Sequence, residues 1–263
     1  MSKTLGLALG AGGTRGIAHI GFLKALEEEG IRPDYIAGSS MGSVVGACFA
    51  NGMTCDQMKN IALQLKTSDI LDVSLISLNK LGLLKCVKVR NLLFELLGDT
   101  TFEQLNLPFC CVAVDLKSGK LQCFSSGNLV NAVLASSAMP TVFRPVQIDD
   151  MLLVDGGVLC RVPVKEVKKM GADVVVAVDV LGETENVGKI SHFISLITRV
   201  YDIMDAKRTQ SVRVKHRRKI DLWLEPQMKD VSAYKIKNID SAYEAGYEIG
   251  RKNVSKIKEL LAD

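Results

Sequence analysis

The sequence lacks any long uninterrupted apolar run, although hydrophobic residues make up 48% of its 263 positions. A membrane-spanning helix needs about 20 consecutive apolar residues, and no stretch approaches that length. The apolar run near the N-terminus is short and ends in glycines and Arg15, so we expect no cleaved secretion signal. Charged residues contribute 24%, a balance that is typical of globular domains and excludes a disordered or collagen-like chain.

Disulfide and zinc-binding patterns are also missing. The seven cysteines are odd in number and scattered, without any CxxC pair, which argues against a disulfide framework or a zinc site. This cysteine usage favours a reducing compartment, and we therefore expect a cytoplasmic protein.

A strong net charge is absent too, since +4 is too small to indicate a nucleic-acid partner. The charge is uneven, however, because seven Lys or Arg and no acid lie between Lys207 and Lys219. This basic stretch is compatible with a solvated surface. It is also compatible with peripheral contact to an anionic membrane, where each Lys or Arg near the surface contributes about 1 kcal/mol.

Short apolar runs of strand length alternate with helical patterns along the chain. Several runs are continuous in Val, Ile and Leu, which indicates strands buried on both faces of a mainly parallel sheet. The sequence therefore predicts an α/β fold. The predicted strands are Leu5–Leu9, Tyr35–Ala37, Phe109–Val114, Val174–Val180 and Ile220–Leu224. The predicted helices are Ile17–Glu29, Met41–Asn51, Asp56–Lys66, Val89–Leu97, Leu129–Ala138, Val164–Met170, Ile190–Lys207 and Ile239–Leu261.

No internal repeat, low-complexity segment or Pro/Gly/Ser-rich linker divides the chain. We therefore expect one domain over residues 1–263, with a motif-bearing core at about 4–180 and a C-terminal helical extension at about 188–263. The apolar segment Leu71–Cys86 fits none of the predicted elements. It is compatible with a core-facing helix or hairpin, or with a lid over an acyl chain.

A glycine-rich segment, Gly10–Gly16, follows the first predicted strand and precedes a helix. Glycines leave backbone N–H groups accessible at a helix N-terminus, which favours binding of negative charge. The dinucleotide motif G-x-G-x-x-G is not satisfied from Gly10, because Arg15 occupies its last position. Arg15 itself is compatible with a contact to a substrate phosphate or with a structural role in the loop.

A second motif, G-x-S-x-G, is formed by Gly38-Ser39-Ser40-Met41-Gly42 after the second predicted strand. A sharp turn from strand to helix exposes its central side chain at the carboxyl edge of the sheet, which makes Ser40 a candidate nucleophile. The first two strands and the helix between them form one β-α-β unit, so both loops open at the same edge. The N–H groups of Gly12, Gly13 and Met41 could then hold the negative oxygen of a tetrahedral intermediate.

A nucleophilic serine needs a base, and the sequence offers three histidines and one well-placed carboxylate. His19 lies on the first helix, where a structural histidine is favoured, and His216 lies in the basic stretch, which favours a solvated face. His192 begins a helix, and a Ser-Asp-His order is not excluded. Asp155 ends a short apolar run before Gly156 and Gly157; it could accept the proton directly or simply occupy a turn.

The three motifs together resemble those of the patatin-like phospholipases. The loop Gly12-Gly13-Thr14-Arg15-Gly16, the turn Gly38–Gly42 and the segment Asp155-Gly156-Gly157 occur in that order, and Ser136-Ser137-Ala138-Met139-Pro140 precedes the last of them. The resemblance covers residues 4 to about 180. Ala11 departs from it, because members often carry glycine there.

The resemblance implies a three-layer α/β/α sandwich and a Ser40–Asp155 dyad that works without histidine, metal or cofactor. It also implies that the Gly12–Gly13 loop forms the oxyanion hole. The substrate would be a fatty acyl ester of a phospholipid or related lipid, hydrolysed through an acyl-serine intermediate. Two alternatives remain at this point: a Rossmann-like nucleotide-binding protein with an acid near Asp34 on the ribose, and a relative that binds lipid without catalysis.

Overall fold

The computed structural model describes residues 3–70, 84–140, 142–183, 190 and 193–262. Its strands are β1 Leu5–Leu9, β2 Tyr35–Ser39, β3 Phe109–Asp115, β4 Lys120–Phe124, β5 Val146–Ile148, β6 Met151–Asp155, β7 Val174–Val178 and β8 Leu222–Leu224. Its helices are α1 Ala18–Glu28, α2 Met41–Ala50, α3 Cys55–Gln64, α4 Thr67–Ile70, α5 Val87–Leu97, α6 Leu129–Ser136, α7 Val164–Lys169, α8 Phe193–Lys215 and α9 Ile239–Ala262.

The eight strands form one mixed sheet in the order β5-β6-β3-β2-β1-β7-β8, with β4 paired to β3. The pairs from β3 through β2, β1 and β7 to β8 are parallel, and those made by β4, β5 and β6 are antiparallel. The predicted α/β class with a mainly parallel sheet is confirmed.

Side chains alternate between two apolar cores, as the period of two in a strand requires. Leu5, Leu7 and Leu9 of β1 face a large core that includes residues of α1, α2, α6 and α9. Ala8 faces a smaller core, which is closed by Val164 and Val167 of α7 and by other short side chains. Helices therefore cover both faces, in agreement with three layers.

Most predicted elements occur within two residues of their expected bounds. The predicted end of helix 190–207 is wrong, because α8 continues to Lys215. The first helix begins as a 3-10 turn over Gly13–Ile17 before α1. The short strands β4 and β5 and the single turn α4 were not predicted. Most of the Leu71–Cys86 segment lies outside the described residues.

The cysteines and the helices bear on two further expectations. All seven cysteines carry free thiols. Within the described part of the chain, no helix combines the length and apolarity that crossing a bilayer requires.

Strand β3 brings the ends of β2 and β6 together. Ser39, the last residue of β2, pairs with Val112, and Asp155, the last residue of β6, pairs with the adjacent Ala113. Strand β4 pairs with residues 111–115 of β3 and so occupies its other edge throughout this region. Parallel β2 and antiparallel β6 therefore meet end to end along one edge of β3.

Candidate active site

Ser40 occupies a sharp turn between β2 and α2. Its backbone is in a positive-φ conformation, with φ 52° and ψ −125°, which is strained for a residue with a side chain. The flanking glycines are required by close packing, because a β-carbon on Gly42 would lie 2.2 Å from the carbonyl oxygen of Leu9. A β-carbon on Gly38 would lie 2.5 Å from Cα of Ser43. The turn thus has the geometry that the G-x-S-x-G motif predicts.

The hydroxyl of Ser40 is hydrogen-bonded to the carboxylate of Asp155. Ser40 Oγ donates to Asp155 Oδ2 over 2.6 Å, and the Gly157 N–H donates to Asp155 Oδ1 over 2.7 Å. The carboxylate therefore has an acceptor oxygen for the serine proton and a second oxygen that fixes its orientation. This is the nucleophile-to-base geometry of an activated serine.

Asp155 is almost completely buried, with 5% of its surface exposed. Burial raises the pKa of Asp155 to about 7, and the charge of Asp205 adds to this rise, while the hydrogen bonds from Ser40 and Gly157 oppose it. A carboxyl group with a pKa near neutrality is well matched to accept and return a proton.

The C-terminal end of α6 and the residues that follow it anchor both members of this pair. The Ser40 N–H donates to Ser136 Oγ over 3.1 Å, and the Asp155 N–H donates to the carbonyl oxygen of Ala138 over 3.0 Å. Ser136 itself is fully buried. This explains why the Ser136–Pro140 segment accompanies the other motifs in the sequence.

The glycine loop lies beside Ser40, as the β-α-β argument predicts. The Ala11 N–H donates to the carbonyl oxygen of Arg161 over 2.9 Å, and the Thr14 N–H donates to that of Ala233 over 3.0 Å. The N–H groups of Gly12 and Gly13, which lie between these two bonds, donate to no backbone acceptor among the described residues. The same holds for the N–H group of Met41. The change from glycine to Ala11 leaves this part of the loop intact, because the Ala11 N–H is bonded elsewhere.

Close packing accounts for the small residues of the loop. Gly13 has a positive φ of 51°, and a β-carbon there would lie 2.1 Å from the carbonyl oxygen of Ala233. A β-carbon on Gly12 would lie 2.2 Å from Val180 Cγ2, and one on Gly16 would lie 2.3 Å from Met41 Cγ. The loop is therefore held against its neighbours at several points.

Arg15 connects the glycine loop to two other segments. Its Nε donates to the carbonyl oxygen of Val231 over 2.6 Å, and its terminal nitrogens donate to those of Leu181 and Met228 over 3.4 and 3.2 Å. Of the two interpretations of Arg15, these contacts support a structural role in the loop.

The histidines have structural surroundings where the structure describes them. His19 Nε2 lies 2.8 Å from the carbonyl oxygen of Gly10, and burial lowers the pKa of His19 to about 4, so the ring is neutral and supports the glycine loop. The expectation of a solvated His216 is wrong, because this side chain is only 9% exposed at the junction between α8 and the following 3-10 turn. His192 lies outside the described residues.

Sequence reasoning missed a buried polar network on the inner side of α8. Arg208 donates to the carbonyl oxygen of Gly157 over 2.6 Å and also to that of Val158, and it forms an ion pair with Asp205. Asp205 accepts a second bond, over 3.0 Å, from Arg161, whose carbonyl oxygen receives the Ala11 N–H. The network therefore supports both the Asp155 loop and the glycine loop. Arg208 gave no signal because it sits in the basic stretch, among residues that face solvent.

A cavity of about 390 Å³ adjoins the site. Its walls include Arg15, Ala233 next to Gly13, Arg199 and Asp202 of α8, and Tyr234. Neither Ser40 nor Asp155 belongs to the described residues that line this cavity. The cavity therefore lies beside the glycine loop rather than around the Ser40–Asp155 pair.

The described residues contain no group of three or more His, Cys, Asp or Glu side chains placed to hold a metal ion. The nucleotide-binding alternative requires an acidic residue near the glycine loop, and Asp34 does not lie there. Asp34 Oδ2 accepts the Leu5 N–H over 2.7 Å at the start of β1, so it lies at the opposite end of the strands from the glycine loop.

Comparison with known proteins shows similarity in both sequence and fold. A sequence model described as patatin-like phospholipase matches residues 7–168. An uncharacterized NTE family protein of Mycobacterium tuberculosis is 40% identical over 181 residues, which are 69% of this chain and 50% of that protein. The lysophospholipase nte1 of Aspergillus fumigatus is 27% identical over 280 residues, covering 97% of this chain and 18% of that protein. The chain thus spans about half the length of its mycobacterial relative.

Solved structures share the fold at low sequence identity. VipD from Legionella pneumophila superposes with a TM-score of 0.66 at 14% identity, covering 97% of this chain and 67% of that one. The type III effector ExoU superposes with a TM-score of 0.54 at 13% identity, covering 97% and 53%. The family model matches more than half of the chain, and the matched residues 7–168 include the glycine loop, the serine turn and the segment that begins at Asp155. This protein therefore belongs to the patatin-like phospholipase family.

Proposed function

We propose that this protein is a serine acyl hydrolase that cleaves fatty acyl esters of phospholipids or related lipids. The observation that carries the proposal is the 2.6 Å hydrogen bond from Ser40 Oγ to Asp155 Oδ2 beside the N–H groups of Gly12, Gly13 and Met41. Membership of a phospholipase family supports a lipid ester as the substrate. The name of the fungal relative, a lysophospholipase, supports the same class.

In the proposed acylation step, the Asp155 carboxylate takes the proton of Ser40 while Oγ attacks the ester carbonyl carbon. The electron pair of the carbonyl moves to oxygen, and the N–H groups of Gly12, Gly13 and Met41 stabilise the resulting oxyanion. The C–O bond to the alcohol then breaks, and Asp155 returns the proton to the leaving oxygen. An acyl-serine remains.

Deacylation follows the same path with water. Asp155 takes a proton from a water molecule while the oxygen of that water attacks the carbonyl carbon of the acyl-serine. The new tetrahedral intermediate collapses by breaking the bond between this carbon and Ser40 Oγ. Ser40 regains its proton from Asp155, and the free fatty acid leaves. The step consumes one water molecule and needs no metal or cofactor.

The test compares two neighbouring serines. Ser40→Ala should abolish turnover of a chromogenic acyl ester and labelling by a fluorophosphonate probe, because it removes the attacking oxygen. Ser39→Ala is the matched control, since the Ser39 hydroxyl is buried and has no hydrogen-bond partner among the described residues. Turnover retained in Ser40→Ala would overturn the mechanism. Absence of labelling in the wild-type protein would instead favour a lipid-binding relative without catalysis.

A further inference from the structure

The long helix α8 buries several polar side chains and exposes several apolar ones. Asp205 and Thr209 are buried, and Arg208 reaches the Gly157 carbonyl. Five apolar residues are between 37% and 66% exposed: Leu196, Ile197, Val200, Ile203 and Met204. This distribution is the reverse of an ordinary surface helix, whose apolar face points to the core.

These five residues form one stripe. At about 100° per residue they fall within an arc of about 120° around the helix axis, which is the width of a packing face. Leu159, on the loop that Arg208 supports, is also exposed at 39%. A contiguous exposed apolar surface of this kind marks an interaction site.

Basic side chains continue the stripe toward the C-terminal end of α8. Lys207 and Lys215 fall within the same arc, and both are exposed, as are Arg217, Arg218 and Lys219 in the following turn. Among the described residues, none of these five has an ion-pair partner, whereas Arg213 is paired with Glu225. The two acids of the helix are bonded to other side chains. Asp202 accepts a hydrogen bond from the Tyr234 hydroxyl, and Asp205 pairs with Arg161 and Arg208.

The flank of this helix next to the stripe contacts the loop of the proposed active site. The hydroxyl of Tyr201 lies 3.3 Å from the position that a β-carbon on Gly157 would occupy. Gly157 donates its N–H to Asp155 and gives its carbonyl oxygen to Arg208. At about 100° per residue, Arg208 and Tyr201 fall roughly 20° and 40° beyond the edge of the arc that the stripe occupies. The apolar stripe and the residues that contact the Asp155 loop therefore lie on adjacent faces of one helix.

We propose that the outer face of α8 docks on the surface of an anionic phospholipid bilayer. The apolar stripe enters the boundary between headgroups and acyl chains, and the basic residues that continue it contact the anionic headgroups. This surface deepens the proposed function, on which it rests, because it places the active-site loop next to a substrate that is itself part of the bilayer. Charge complementarity selects the occupant, since the cations that border the apolar residues have no acidic partner in the described part of the chain, while Asp202 and Asp205 are bonded to other side chains.

Binding is measured by vesicle sedimentation in a Ser40→Ala background, so that docking is observed without hydrolysis. Phosphatidylcholine vesicles with and without phosphatidylglycerol are compared at low and high salt. We expect binding to the anionic vesicles, weakened roughly tenfold by Val200→Ser with Met204→Gln through lost apolar burial. We expect Lys215→Glu with Arg218→Glu to weaken it at least as much at low salt, with a smaller effect at high salt.

Matched controls use exposed residues on other elements. Leu63→Gln on α3 and Lys66→Glu should bind as the parent does, and thermal unfolding verifies that each variant is folded. Equal binding by stripe and control variants would overturn the proposal, as would absence of binding to anionic vesicles. A lower melting temperature or a changed oligomeric state in Val200→Ser with Met204→Gln would also overturn it, because the stripe would then be covered by this chain or by a second copy. Ester turnover is measured separately on the wild-type protein, which retains Ser40, so that failure of the proposed hydrolase activity is distinguished from failure of membrane docking.

Discussion

Asp155 combines two properties that oppose each other at the scale of one residue. It is buried, which favours the neutral acid, yet the proposed base must be ionised to accept the proton of Ser40. The hydrogen bond from the Gly157 N–H partly offsets the cost of burial. A pKa of about 7 for Asp155 means that kcat/KM should rise as the pH increases through neutrality.

Asp155→Asn should separate activity from stability. Turnover should fall at least a hundredfold, since asparagine cannot take a proton. The pKa of Asp155 is about 7 in the folded protein and about 3.9 in the unfolded chain. Between these two values the folded wild-type protein retains a proton that the unfolded chain releases. The stability of the wild-type protein therefore falls as the pH rises through this window. Asparagine does not titrate. The free energy of unfolding of the variant, relative to wild type, should therefore increase by about 2 to 3 kcal/mol from about pH 5 to pH 8.

Urea denaturation at the two pH values measures this difference. The control is Asp150→Asn, because Asp150 is exposed in the turn just before β6. A stability difference for Asp155→Asn that stays constant with pH would contradict the prediction.

The two residues of the proposed dyad were predicted in different ways: Ser40 from its own motif, and Asp155 only through the resemblance to the patatin-like phospholipases, because its local sequence is equally compatible with a turn. Ser40 sits between two glycines after a strand, and Asp155 precedes two more. Arg208 and the buried His216 could not be predicted, since their surroundings in sequence are those of a solvated basic run. Only contacts with distant segments, such as the bond from Arg208 to the Gly157 carbonyl, distinguish them.

At the scale of elements, α8 acts as a support for the loop that follows β6. Arg208 holds the carbonyl oxygens of Gly157 and Val158 and is itself held by Asp205. Asp205 also faces Arg161, so one buried carboxylate is shared by two arginines. Removing either arginine leaves part of that negative charge without compensation.

Arg208→Met tests Arg208 as a positioning residue. We expect kcat for a soluble ester to fall by roughly tenfold to a hundredfold, because the loop that orients Asp155 loses its support. The pH at half-maximal kcat/KM should move upward, since the charge of Asp205 already raises the pKa of Asp155 and would be less compensated. Arg208→Lys should restore part of the activity.

Arg251→Met is the matched control, because Arg251 pairs with Glu29 on the far side of α1. If Arg208→Met lowered activity without moving the pH profile, a purely structural effect would account for the loss and the positioning role would be wrong.

The regular elements were predictable where the apolar pattern is strong, as a continuous apolar run in β1 and β7 and as helical periodicity in α2. The strands β4 and β5 were missed because polar residues interrupt their apolar runs, and they are defined by pairing with β3 and β6 rather than by their own pattern. The end of α8 was missed because its last two turns are rich in charge, which resembles the solvated end of a helix.

At the scale of the whole molecule, we propose that the motif-bearing core and the C-terminal extension form one domain. Strand β8 extends the sheet by pairing with β7. Helix α9 packs directly on α1, because glycines allow the backbones to approach: a β-carbon on Gly246 would lie 1.8 Å from the carbonyl oxygen of Ala18. The chain after residue 180 therefore completes the same sheet and the same large core.

Gly246→Leu should destabilise the whole protein rather than α9 alone. The side chain has no space against α1, so the helices must separate, which should cost several kcal/mol. We expect a single thermal transition at a lower temperature, with ester hydrolysis lost at that same transition. Ala262→Leu, at the exposed end of α9, is the control. Two separate transitions would show that the extension folds independently of the core.

The end-to-end meeting of β2 and β6 along β3 has a consequence for the newly made chain. Ser40 and its partner are 115 residues apart in sequence, and neither strand reaches the other until β3 has paired with both. The serine turn can form early, from the local β1-α1-β2 unit, but it then has no base within reach. Under the proposed mechanism, a chain in which β3 has not yet paired with both β2 and β6 would hydrolyse no ester, so the first turnover would date the completion of the central sheet.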